Sequence, residues 1–160
     1  MCTGQEFTER QWTEYIERHQ LRGTTPVFTY KTFGYNIWDV CVSPNTPVHI
    51  KTKLCEFEIY TAESPCGRWE YGLTLDTCSR CCTHGALFVA GKDLGYPSEK
   101  DAIYEALVFA EERAENELND IGESGCPGTE TYPPALRQFL AEVRRYKDIY
   151  DPAQLSLFDL

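Results

Sequence analysis

The densest reactive chemistry in the chain lies in Cys78-Ser79-Arg80-Cys81-Cys82-Thr83-His84. Cys78 and Cys81 have the C-x2-C spacing that lets one tight turn present two thiolates to Zn2+. His84 offers a third ligand, and Cys66 or Cys82 a fourth. Structural zinc on Cys66, Cys78, Cys81 and His84 is one expectation, and no other cofactor is expected. A complete zinc signature would carry a second C-x2-C or an H-x3-H pair, which this chain lacks. Reduced thiols in a hairpin loop and the core are the competing reading, and a redox pair is a third. The remaining cysteines are Cys2, Cys41, Cys55 and Cys126, and no apolar leader precedes them. A disulfide framework is therefore not expected, and the expected location is the cytoplasm.

Catalytic motifs are missing. There is no phosphate-binding G-x-x-x-x-G-K-[ST] and no dinucleotide-binding G-x-G-x-x-G. Gly122-Glu123-Ser124-Gly125-Cys126 is one glycine short of a nucleophile elbow and sits in a linker-like stretch. With His19, His49 and His84 as the only histidines, few general bases are available near neutral pH. The expectation is a protein without enzymatic activity.

The second informative stretch is Gln154-Leu155-Ser156-Leu157-Phe158, which follows Asp151-Pro152-Ala153. An extended pentapeptide of this kind presents Leu155, Leu157 and Phe158 as apolar anchors to a groove. Gln154 brings an amide that both donates and accepts, and Ser156 points outward. The alternative is a short final helix capped by Asp151, with Leu155 and Phe158 packed on the protein's own body. The five residues resemble the bacterial sliding-clamp-binding peptide, whose consensus is Q-L-[SD]-L-F, and all five positions match. The resemblance implies a DNA polymerase sliding clamp as partner.

Charge narrows the other partners. The 160 residues carry a net charge of −10. Glu99, Asp101, Glu105, Glu111, Glu112, Glu115, Glu117, Asp120 and Glu123 are opposed within their stretch only by Lys100 and Arg113. Such a surface repels phosphate backbones, so no direct nucleic-acid contact is expected. A denser reading is an acidic DNA mimic acting as an anti-restriction or anti-CRISPR inhibitor. A third function class is a zinc-stabilised interaction module. No apolar run reaches the roughly 18 residues that would span a bilayer, so no membrane partner is expected.

The elements that must position these residues follow from periodicity. Thr8-Glu9-Arg10-Gln11 has the form of a capping box and predicts a helix over Glu9 to Gln20. Strands are expected at Tyr35 to Val42, His49 to Thr61, Arg68 to Asp76 and Gly85 to Ala90. Neither face of His49 to Thr61 is cleanly apolar, which predicts a bulge or break near Leu54. Ser98 and Asp101 cap a second helix, along which Ala102, Ile103, Ala106, Leu107, Ala110 and Ala114 form a small-residue stripe. Gly122 to Thr129 reads as linker. A last helix runs from about Pro134 to Tyr150, with Leu136, Phe139, Leu140 and Val143 on one face.

The expected architecture is α+β: an N-terminal helix, a three- to four-stranded antiparallel sheet, a packing helix, and an appended helix with a tail. In domain terms this is an α+β unit over 1–120, a linker over 121–133, a helix over 134–150 and a tail over 151–160. The pattern Trp69-x-Tyr71-Gly72-Leu73, followed by Ser98-x-x-Asp101-Ala102-Ile103-x-x-Ala106-Leu107, is similar to small uncharacterised proteins of bacterial mobile elements and phages. That resemblance implies no activity.

Overall fold

The computed structural model describes residues 26–85, 87, 94–124 and 130–155. The helix expected over Glu9 to Gln20 lies outside them. Among the described residues, six strands precede the helices: β1 (Phe28–Tyr30), β2 (Phe33–Tyr35), β3 (Asn45–Lys51), β4 (Glu56–Glu63), β5 (Trp69–Asp76) and β6 (Cys81–His84). Then follow α1 (Glu99–Ser124), α2 (Tyr132–Tyr150) and a single turn, α3 (Pro152–Leu155). The class is α+β. The main sheet is antiparallel in the order β3-β4-β5-β6, and β1 and β2 form a separate hairpin.

The break expected near Leu54 is the β3–β4 turn. Thr52 N donates to the Cys55 carbonyl at 2.8 Å, and the register pairs Ile50 with Phe57 and Val48 with Ile59. Reversal changes the parity of the inward positions: Val48 and Ile50 on β3 are even, Phe57 and Ile59 on β4 are odd. That change is why neither face of His49 to Thr61 is apolar along its whole length.

Tyr35 to Val42 does not form the expected single strand. β2 stops at Tyr35, and the Asn36 side-chain oxygen accepts from the Trp38 and Val40 amides at 2.9 and 3.0 Å. Asp39 takes φ 58° in this turn. Asn and Asp can hydrogen-bond their own backbone and tolerate the left-handed region, which overrides the strand preference of the neighbouring residues. The chain returns to make only an isolated bridge between Tyr35 and Cys41. Most of the strand expected at Gly85 to Ala90 lies outside the described residues. Leu87 is buried, and its carbonyl accepts from Cys41 N at 2.8 Å.

α1 begins as expected. Ser98 Oγ accepts from Asp101 N at 3.2 Å and donates to the Asp101 carboxylate at 2.6 Å. The helix continues to Ser124, so the first part of the expected linker is helical. α2 begins at Tyr132 with prolines in its first turn, where a missing N–H costs nothing. It is not an appendage. Leu136, Phe139, Leu140 and Val143 are buried in one cluster with Val48, Phe57, Ile59, Leu73, Ile103 and Leu107. α1 lies over β4 and β5, and α2 over β3. The Ala102, Ala106, Ala110 and Ala114 stripe is fully buried, so the α1 backbone sits close to the sheet. A smaller cluster of Phe33, Tyr35, Cys41, Ala62 and Leu87 packs the β1–β2 hairpin against β4, with Trp69 edge-on to Phe33.

The two helices are clamped electrostatically. Arg144 donates to Glu111 and Glu115 at 2.6 Å each, and Lys147 also donates to Glu111. Burial pushes the Glu111 carboxyl up, but the bonds from Arg144 and Lys147 outweigh it and hold the group below the usual carboxylate range. A depressed carboxylate contributes stability above its unfolded value, roughly pH 4.3, and loses it as pH falls through the folded value. Glu111→Gln is therefore expected to flatten the fall in urea-measured stability below about pH 4.5. Arg144 is half exposed, so the effect is about 0.5–1 kcal/mol. An acid limb unchanged by the substitution would remove Glu111 from that account.

Candidate functional site

Four elements meet at one end of the sheet: the β5–β6 turn, the β3–β4 turn, α1 and the start of α2. The β5–β6 turn is closed by Thr77 N donating to the Arg80 carbonyl at 2.7 Å. From α1, the buried Glu117 carboxylate grips this turn. It accepts from the Thr77 hydroxyl, from Ser79 N at 3.0 Å and from the Ser79 hydroxyl at 2.8 Å. A buried carboxylate is tolerable only when hydrogen-bonded in this way. The grip leaves Cys78 facing the β3–β4 turn, where the sulfurs of Cys55 and Cys78 are 3.8 Å apart. Cys78 Sγ is also 3.8 Å from the carbonyl of Tyr132, the first residue of α2.

Both thiols are held protonated. Burial pushes Cys78 up to about 12, reinforced by the neighbouring Cys55. Burial also raises Cys55. The thiolate is the nucleophile, so these sulfurs are poor nucleophiles at neutral pH. Cys81 is exposed. Iodoacetamide at pH 7.5 is expected to label Cys81 at least tenfold faster than Cys55 or Cys78, read by peptide mass spectrometry. Equal rates would show that the corner is open.

The expected zinc ligands are dispersed. Cys66 lies in the β4–β5 loop, and the eight-residue β5 separates it from Cys78. At about 3.3 Å per residue that is roughly 25 Å, so Cys66 cannot join Cys78. Residues 81–84 form β6 rather than the expected loop. On a strand successive side chains point to opposite faces. Cys81 stands opposite Asp76 and is exposed, whereas Cys82 stands opposite Leu75 and packs partly against the core. His84 pairs with Leu73, three positions along the strand from Cys81. Among the described residues, no group of three His, Cys, Asp or Glu side chains gathers to hold a metal.

Two members of the corner were not read from the sequence. Glu117 continues the buried series Ala106, Ala110, Ala114 at helical spacing, which is a signal that this acid faces inward. Cys55 shares the parity of the inward Phe57 and Ile59, a signal legible once the turn is placed.

Beside the corner, between β6 and α1, lies a cavity of about 410 Å3. Thr77, Ser79, Arg80, Cys81, Cys82 and Arg113 are among its lining residues. Its two guanidinium groups are engaged: Arg80 with Asp120, and Arg113 over the Phe109 ring.

The acidic stretch of α1 is largely used within the fold. Glu111 and Glu115 meet α2, Glu117 holds the turn and Asp120 meets Arg80. Glu99 accepts from Thr61 at 2.6 Å and from Asn45 at 3.1 Å.

Beyond α2, Asp151 leaves the helical region with ψ 116°, as expected for a residue before proline. Its carboxylate accepts from Ala153 N at 2.8 Å and starts α3, which touches α1. Gln154 and Leu155 thus close a helical turn rather than an extended segment. Ser156, Leu157 and Phe158 lie outside the described residues.

No protein-family model, curated protein or solved structure matches this chain.

Proposed function

We propose that the protein is a non-enzymatic accessory factor of a bacterial mobile element or phage. In this reading it is held at a DNA polymerase sliding clamp by Gln154, Leu155, Ser156, Leu157 and Phe158. The five-position match of this peptide to the clamp-binding consensus carries the reading. Two structural features support it. α2 is rooted in the core, so whatever follows Tyr150 is mounted on a rigid base. The α3 turn has four residues, far below the length at which a helix is stable alone, so unwinding it to seat Gln154 and Leu155 costs little.

The acidic-mimic reading has less support, because Glu111, Glu115, Glu117 and Asp120 are engaged with partners in the fold rather than arrayed for a competitor's DNA-binding surface.

The test is capture on purified clamp. Full-length protein is expected to bind, and Leu157→Ala/Phe158→Ala to lose at least about 100-fold in affinity, since anchor residues contribute about 2 kcal/mol or more each. Equal binding by both forms, or binding by neither, would sink the proposal.

A further inference from the structure

The Cys55–Cys78 pair is used by nothing described so far. Each sulfur sits on a turn rather than inside a strand: Cys55 closes the Thr52–Cys55 turn, and Cys78 lies in the Thr77–Arg80 turn. The sulfurs are already in contact at 3.8 Å. A disulfide needs about 2.05 Å, so the two sulfurs must still approach one another by rotation of their side chains. Access is unequal. Cys55 is 3% exposed, and Cys78 is partly exposed. One sulfur can meet a small oxidant, and the other is screened from solvent but sits against its partner.

We propose that Cys55 and Cys78 are a redox-modifiable dithiol, oxidised by low-molecular-weight disulfides to a crosslink between the β3–β4 and β5–β6 turns. The Cys78 sulfur loses its proton and attacks one sulfur of the oxidant, forming a mixed disulfide and expelling the first thiol. Cys55 then loses its proton and attacks the Cys78 sulfur, expelling the second. Two protein thiols become one disulfide, and the oxidant is reduced to two thiols. Cys78 no longer donates to the Tyr132 carbonyl, so the change is felt at the start of α2. Because burial, with Cys55 and the Glu117 carboxylate beside it, holds Cys78 protonated, the reaction is slow.

Cys81 and Cys82 compete for Cys78, and the topology argues against both. β6 carries Cys81 away along the exposed strand, and Cys82 packs toward the core beside Leu75. The proposal does not depend on the tail.

The experiment treats reduced full-length protein with glutathione disulfide, blocks the remaining thiols and digests with trypsin without reduction. Cleavage after Lys53, Arg68 and Arg80 leaves Cys55 and Cys66 on peptide 54–68 and Cys78 alone on 69–80. The expected product joins these two peptides, fragments with the bond on Cys55, and disappears with dithiothreitol. Cys66→Ser keeps it; Cys55→Ser and Cys55→Ala lose it. The crosslink closes a separation of 23 positions. Oxidation is therefore expected to raise the thermal midpoint by about 6–12 °C in wild type and Cys66→Ser. Cys78 joined instead to Cys66, Cys81 or Cys82, glutathione adducts without a crosslink, or no bond at all would overturn the proposal. Mapping the wild-type protein decides this even if the Cys55 variants fold poorly.

Discussion

Phe139→Ala is expected to destabilise the protein by about 3–5 kcal/mol, the range for removing a buried aromatic ring from a core that cannot fully collapse. Phe139 is fully buried on α2 and meets Phe57 of β4 edge-on, with ring centroids 6.3 Å apart. It therefore joins the outermost helix to the second strand of the sheet. For a domain of this size the loss corresponds to a thermal midpoint lower by roughly 6–20 °C. Phe139→Leu keeps most of the volume and is expected to cost less than half as much. Urea unfolding of the two variants checks this. A cost under about 1 kcal/mol for the alanine variant would mean that α2 is peripheral, as the sequence first suggested, and not part of the core.

The second large effect is expected at Glu117. Glu117→Ala removes a buried carboxylate that accepts from the Ser79 amide and hydroxyl at the rim of the turn. Thr77 is partly spared, since its hydroxyl also lies 3.0 Å from the Arg80 carbonyl. Ser79 is exposed, so water can take over its donors, and the loss of charge-assisted hydrogen bonds sets a cost of about 1.5–3 kcal/mol. Glu117→Gln retains one acceptor oxygen but turns an NH2 group toward a donor, so an intermediate loss is expected. A local readout separates this from general destabilisation: the turn should loosen before the protein unfolds. Iodoacetamide labelling of Cys78 should accelerate under native conditions in Glu117→Ala and not in Phe139→Leu. Unchanged labelling would show that the β5–β6 turn holds its shape without the carboxylate.

These two residues also show what was legible in the sequence. Phe139 was, because Leu136, Phe139, Leu140 and Val143 repeat at helical spacing and one buried stripe is enough to place a helix. The Ser98–Asp101 cap and β5 were legible for the same local reason. Glu117 was not, because an acid among nine acids reads as solvated unless its phase against the alanine stripe is followed. The β1–β2 hairpin was missed because Lys31, at φ 53°, makes its turn without a turn-forming residue type, and the turn at Asn36 because Asn and Asp redirected a stretch whose composition favoured a strand. The grouping of Cys66 with Cys78 failed on distance: the two are close in sequence, but an extended strand lies between them. Cys55 and Cys78 are far apart in sequence and adjacent in space, a long-range relation that no local spacing encodes.

The antiparallel helix pair has a consequence for orientation. Arg144 of α2 meets Glu111 and Glu115 of α1, and Lys147 lies over Tyr104. The end of α2 therefore lies beside the beginning of α1, while its start lies at the cysteine corner. Nineteen residues of helix separate them, about 28 Å at 1.5 Å per residue. α2 is thus a spar with the exit to Asp151 at one end and the thiol pair at the other. A molecule moored by its tail would turn the β3–β4 and β5–β6 turns outward, away from whatever holds it.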